Sequence, residues 1–354
     1  MPWFTKRQPS TRGTGALMIS MNWQWVLGQD ERTLAENARR AKALRHSRII
    51  MSLALVFFLL ATLAIGVPWF MQWRSEHAAA QTSKAAEETV AGWPYPKAEL
   101  ALQAAEQYNA KLAKSGQPTL GETYDPFSDE AQHEEDGNED TLQSNKDAEY
   151  TSLLNAGDSL MGSVVIPKIS VDLPIRHGTA KLTLDRGVGH LYGTSLPTGA
   201  SGKAGNSAHT VLTGHRGLVE ALMFTRLDEM KMGDYMYEKV FGRTLAYRVD
   251  RISVIDPSDT SQLRIQPGED RLTLMTCTPF GVNTHRLLVS GTRVSIPSPA
   301  PEPNHAAPDT ARIMRQSFMV GALTTLLLLC AYRLLPGTRR LREQTNRHAR
   351  HMQA

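Results

Sequence analysis

Arg271-Leu-Thr-Leu-Met-Thr-Cys277-Thr-Pro-Phe-Gly-Val-Asn-Thr-His-Arg286-Leu-Leu-Val289 decides the reading of this chain. Leu272 and Leu274 alternate, as in a strand with one face in a core. By parity Cys277 projects to the opposite face, which predicts a surface groove at the strand's end. Residues 278–284 contain Pro279, Gly281 and Asn283, a loop composition. Arg286 opens the next strand. If the two strands pair, Cys277 and Arg286 sit near facing ends of one hairpin. A guanidinium there favours a thiolate and supplies donors to a developing oxyanion.

Around this hairpin, short β-rich runs alternate with turn residues. Segments 163–166 and 171–175 flank the turn-prone 167–170, and 210–213 is a further short strand. Segments 235–240 and 244–255 pair across 241–243, and 271–276 pairs with 286–294. Residues 217–230 read as a helical stretch. Seven or eight short strands with few helices predict a mostly β fold, a closed or nearly closed barrel.

The chain has 354 residues and two cysteines. Cys330 lies in an apolar run, where a small thiol is unremarkable. Cys277 stands alone in the segment between the apolar runs, so no disulfide forms within it. The count alone leaves two readings open, a buried inert thiol or a reactive one. A reactive thiol needs a base, and that segment holds eight histidines. His215 sits in Leu212-Thr-Gly-His-Arg-Gly217, bracketed by glycines after a short apolar strand. His209 precedes that strand and His285 adjoins Arg286.

Two apolar runs frame this region. Residues 49–70 match the hydrocarbon thickness of a bilayer, about 20 residues. The run is too late and too long for a cleaved signal core. Residues 317–335 form a second span, with Arg333 placed to snorkel. Residues 1–48 carry nine Lys or Arg against three acids, and the C-terminal tail is basic from Arg339 to Arg350. Basic flanks stay inside, so both termini are expected in the cytoplasm. The pI near 9.0 comes largely from these flanks, and no nucleic-acid motif appears. Met18 and Met21 offer alternative starts. Residues 96–114 read as an amphipathic helix on Leu100, Leu102, Ala105, Tyr108 and Leu112. Seven of the twelve residues 129–140 are acidic, a solvated linker. Residues 298–308 are Pro- and Ala-rich, a spacer.

Thr-Gly-His-Arg-Gly (213–217), Thr-Leu-Met-Thr-Cys (273–277) and Val-Asn-Thr-His-Arg-Leu-Leu-Val (282–289) resemble the signature blocks of the sortases, in order and spacing. The resemblance covers about 163–296 and includes 224–228 and 231–234. It is strongest to class C, the pilin-polymerising sortases. The second span and Asp125-Pro-Phe127, similar to that class's lid motif, point there. Phe127 stands where Trp is also frequent in such lids, so a looser lid is expected.

The resemblance implies an eight-stranded sortase-type β-barrel with short helices, after a helical N-terminal segment and between two transmembrane helices. The expected order is a basic cytoplasmic tail (1–48), a span (49–70), a helical stalk (71–120) and the lid with its acidic linker (121–150). The barrel (151–297), spacer (298–316), second span (317–335) and basic tail (336–354) follow. Cys277 would attack the Thr–Gly bond of an LPXTG-type sorting signal, His215 would be the general acid/base, and Arg286 would hold the oxyanion. Asp125 would pair with Arg286 and Phe127 would cover Cys277. A pilin lysine would resolve the thioester, with possible hand-over to a cell-wall-anchoring sortase. No cofactor, metal or nucleic acid is implied. The location would be the membrane of a Gram-positive-type cell, with the barrel outside.

Three alternatives compete. One is a sortase that anchors surface proteins to peptidoglycan, which differs in the accepting amine. Another is a cysteine L,D-transpeptidase, whose Ser-x-Gly-Cys block is not matched here. The last is a membrane-bound scaffold with an inactive barrel.

Overall fold

A computed structural model describes residues 31–122, 125–128, 142–200, 206–297 and 310–334. The expected acidic linker (129–140), most of the Pro-rich spacer and most of both basic tails lie outside these residues. The chain divides into two compact units, Met1–Leu63 and Ala64–Ala354. Among the described residues the first holds only the N-terminal part of one helix.

Eight strands close into a barrel in the order β1-β2-β3-β4-β7-β8-β6-β5. They are β1 (Leu160–Ile166), β2 (Val171–His177), β3 (Val188–His190), β4 (Ala208–Thr213), β5 (Tyr235–Val240), β6 (Arg243–Ile255), β7 (Asp270–Thr278) and β8 (His285–Val294). The pairs β2–β3 and β4–β7 are parallel and the rest antiparallel. Inward residues such as Val164, Ile175, Leu212, Met236, Tyr247, Leu272, Leu274 and Val289 fill one core. The expected barrel is therefore present and closed, which leaves no open sheet edge.

Six helices are described: α1 (Glu31–Ala91), α2 (Lys97–Ser115), α3 (Gln143–Lys146), α4 (Ala148–Ser152), α5 (Lys181–Arg186) and α6 (Thr310–Leu334). The far end of α1 lies along the barrel through Ala79, Ser83, Ala86 and Val90, all buried. Their spacing of four, three and four puts them on one helix face. Helix α2 buries Leu102, Ala105 and Asn109 and ends at Gly116 in the left-handed conformation. Asn109 donates to Leu196 O (2.9 Å) and Thr198 Oγ1 (3.0 Å) and accepts from Leu196 N (2.7 Å).

Several expectations need correction. Residues 217–230 are not a helix but turns that end in a 3-10 turn, Leu227–Glu229. Leu218, Ala221, Phe224, Leu227 and Met230 recur every three residues, and Gly217 and Met223 have positive φ. A period of three with left-handed breaks suits successive turns rather than an α-helix. The β5–β6 hairpin turns on Phe241-Gly242 alone, both at positive φ, so Arg243 is already paired with Val240. Leu100, expected on the packed face of α2, is 57% exposed. Helix α6 starts at Thr310, inside the expected spacer. Apart from these corrections, the expected span 49–70 lies within helix α1, whose far part falls in the expected helical stalk. Among the described residues one helix, Thr33–Ala91, is long and apolar enough to cross a membrane by length and composition.

Candidate active site

The β7–β8 pairing sets Cys277 directly opposite Arg286. Parity works as the sequence implies, since Leu272 and Leu274 belong to the barrel core while Cys277 packs outside it. The thiol is nevertheless only 4% exposed, because Phe127 and Leu184 cover it.

His215 reaches this place through the parallel β4–β7 ladder. Thr213 is level with Met275. Gly214 N donates to Met275 O (3.1 Å), and Thr276 Oγ1 donates to Gly214 O (2.7 Å). His215 follows directly on this ladder, and it and Cys277 both meet the Phe127 ring. Gly214 has a structural reason to be glycine, because a Cβ there would meet the Phe224 ring at 2.7 Å. The imidazole lies edge-on to the Phe127 ring, with centroids 5.6 Å apart. Its Nε2 is 3.7 Å from Asp185 Oδ1 on α5. Burial holds the imidazole's pKa below its ordinary value, and Asp185 partly offsets this. His209 and His285 sit elsewhere. His209 is buried between Arg264 O and Thr273 Oγ1, and His285 is exposed and bonded to Thr284.

Asp125, Pro126 and Phe127 form a tight turn. Asp125 Oδ1 accepts from Phe127 N, and Asp125 O accepts from Ser128 N, both at 2.9 Å. The other carboxylate oxygen, Oδ2, accepts from Arg286 Nη2. Arg286 Nη1 donates to Asn283 O and His285 O, each at 2.9 Å. The guanidinium also lies 5.1 Å from the Phe127 ring centroid. One short turn thus covers the thiol, touches the imidazole and engages the guanidinium. A cavity of about 310 Å³ opens on the far side of Arg286, lined among others by Asp125, Pro126, Leu191, Ile255, Leu263 and Met275.

In this closed arrangement the Cys277 thiol is pushed up to about 11. Burial is the main cause. Arg286 pulls the value down, Asp125 pushes it up, and Arg216 pulls it down. A thiol held protonated in this way is a weak nucleophile.

Three neighbours were not singled out from sequence. Arg216 donates to Cys277 O (3.4 Å) and Thr278 Oγ1 (3.3 Å) and pairs with Asp228 (2.6 Å), which ties the end of β7 to the His215 loop. Its adjacency to His215 was the available signal. Asp185 and Leu184 come from α5, a six-residue helix with no local mark of function. Among the described residues no group of three His, Cys, Asp or Glu side chains is placed to hold a metal.

The fold and site define a closed barrel with a covered cysteine at the end of β7, an arginine opposite it and a histidine against the same covering ring. The Sortase domain family matches residues 164–294. Sortase D of Bacillus subtilis is 32% identical over 137 residues, 38% of this chain and 64% of that protein. The crystal structure of Streptococcus agalactiae sortase C1 is 39% identical, with 60% of this chain and 96% of that chain covered at a TM-score of 0.50. That of Streptococcus pneumoniae Sortase C is 37% identical over the same shares, at a TM-score of 0.51. The chain belongs to the sortase family, and within it to class C.

Proposed function

We propose that this chain is a membrane-tethered cysteine transpeptidase that joins pilin subunits, held closed at rest by the turn 125–127. The observation that carries the reading is the lidded triad: Cys277 under Phe127, His215 edge-on to the same ring, and Arg286 engaged by Asp125.

The chemistry follows from these positions. When the lid leaves, Cys277 regains water and Arg286 loses its carboxylate partner, and both changes favour the thiolate. The thiol proton passes to His215. The Cys277 sulfur attacks the Thr carbonyl of an LPXTG-type signal, and Arg286 donates to the oxyanion. The C–N bond to Gly breaks, and the imidazolium returns its proton to the leaving amine. A thioester remains, so one difficult acyl transfer becomes two easier ones. The neutral ε-amine of a pilin lysine then attacks the thioester, gives a proton to His215 and displaces the sulfur as thiolate. The cavity beside Arg286, with Leu191, Ile255, Leu263 and Met275 on its wall, offers apolar contacts to the residues before the Thr, and a lid that closes again limits water.

The membrane reading rests on the apolar stretch of α1 and on charge. Helix α6 runs back antiparallel to it, as Met319 packs on Gly66 and Arg315 bonds Gln72 at 3.1 Å. Both helices span, both termini lie in the cytoplasm, and the barrel faces outward in a Gram-positive-type envelope.

The test uses the full chain in nanodiscs with a pilin carrying a C-terminal sorting signal. Covalent ladders with a lysine isopeptide bond are expected. Products formed only with a cell-wall peptide would transfer the chain to the anchoring reading.

A further inference from the structure

The loop after His215 turns back on itself, with Phe224 N donating to His215 O at 3.0 Å. Its tip holds Val219, 59% exposed. Gln72 Nε2 donates to Val219 O at 3.1 Å, while Gln72 Oε1 accepts from Arg315 Nη1 at 3.1 Å. One amide side chain therefore joins the catalytic loop to both apolar helices.

Gln72 stands two residues beyond Phe70, where the apolar run of α1 ends. That is a rise of about 3 Å. The headgroup layer is about 5–7 Å deep on each side of the hydrocarbon core. With α1 across a bilayer, the Gln72–Val219 bond falls inside this layer. One exposed tryptophan marks the same level. Trp73 is 41% exposed, while Trp69, four residues earlier, is half-buried with its indole N–H turned into the protein. Amphipathic rings of this kind belong at the headgroup boundary.

Further exposed apolar side chains stand on the loop that follows Cys277, and one of them reaches to within two residues of Val219. The Phe280 ring lies against Gly217, whose added Cβ would be 3.0 Å from it. Phe280 is 58% exposed and Val282 65% exposed, on the loop that follows Cys277. These side chains and Val219 thus come from the two loops that leave the nucleophile and the candidate base.

We infer that the ridge of Val219, Phe280 and Val282 is a lipid-contacting surface that sets the catalytic mouth down on the outer leaflet. The occupant is lipid because Gln72 ties Val219 to the point where both apolar helices emerge. The inference rests on the membrane-spanning reading of α1 and deepens it. It gives the barrel one orientation, with the mouth toward the bilayer. The α1–α2 turn lies away from it, since nineteen residues of helix separate Gln72 from Ala91, about 28 Å.

The experiment places an environment-sensitive fluorophore on single cysteines of the full chain in nanodiscs, in a Cys277→Ala, Cys330→Ala background. The sites are Val219→Cys, Val282→Cys, Tyr95→Cys as the distal control and Phe57→Cys as the spanning control. The quenchers are phosphatidylcholines spin-labelled near the headgroup and, for residue 57, at mid-chain, together with aqueous iodide. Probes at 219 and 282 should lose most of their emission to the lipid quencher and little to iodide, and the probe at 95 the reverse. Lipid quenching at 57 with iodide quenching at 219 and 282 overturns the inference and leaves the spanning reading intact. Shielding of 219 and 282 from both quenchers assigns the ridge to a second copy and also overturns it. No lipid quenching at 57 removes the spanning reading and the inference together.

Discussion

Removing the lid should turn a resting thiol into a reactive one by an amount that the structure sets. In the closed site Cys277 is raised from its ordinary 9.0 to about 11, chiefly by burial and secondarily by Asp125. The double variant Asp125→Ala, Phe127→Ala removes the covering ring and the carboxylate together, and it leaves Arg286 to act on the thiol alone. All three changes lower the pKa. A return to the ordinary value is a shift of two units, up to about 2.7 kcal/mol and about 100-fold more thiolate at neutral pH. The sign for the lid follows by linkage. The closed state holds the thiol proton more tightly than the open one, so closure is fully favoured below pH 9.0 and loses that support as pH rises toward about 11. The assay is the alkylation rate of the Cys277 peptide by iodoacetamide, followed by mass spectrometry from pH 6 to 11. The rate at neutral pH should rise about 100-fold, and the midpoint should move to lower pH. Better access alone would raise the plateau and leave the midpoint in place. An unchanged midpoint would therefore refute the electrostatic reasoning even if the rate rose.

Two further outcomes follow from the packing. Gly214→Ala puts a methyl 2.7 Å from the Phe224 ring, and that ring is fully buried under the His215 loop. Overpacking of about 1–3 kcal/mol should lower the Tm and slow Cys277 acylation together, whereas unchanged values of both would remove the argument for that glycine. Glu238 is fully buried, and burial, then Asp270, raises it to about 8 against the opposing pull of Tyr247 and Arg293. The folded state favours its neutral form, so wild-type stability should decline from pH 4.5 up to about 8. Glu238→Gln should flatten that decline and gain on the order of 5 °C in Tm at pH 8. Parallel Tm curves for the two proteins would contradict the assignment.

The legible parts of the site were those written in local order. The β7–β8 hairpin carries Cys277 and Arg286 within ten residues, so alternation and one loop fix their relation. His215 is sixty-two residues from Cys277, and what joins them is a parallel ladder between β4 and β7. Periodicity does not encode such a pairing, so its Gly-bracketed setting and the family resemblance had to stand in. Asp185 and Leu184 were illegible for a related reason. Helix α5 owes its place to the parallel β2–β3 crossover, and β3 has only three residues, too few for any period. The stretch 217–230 misled because apolar residues every three positions imitate a helix until Gly217 and Met223 turn left-handed. Helix α1 was not read as one element because its two halves differ in composition. Apolar residues dominate one half and small buried residues such as Ala79 and Ser83 mark the other.

The most direct test of the account is the mass of Cys277 itself. The full chain, with and without the lid substitutions, is mixed with an LPXTG peptide, quenched in acid and digested. The account predicts an adduct on the Cys277 peptide equal to the signal up to its Thr, cleaved by hydroxylamine, larger in the lid variant and absent from Cys277→Ala. No adduct in either form, or an adduct that persists in Cys277→Ala, would contradict it.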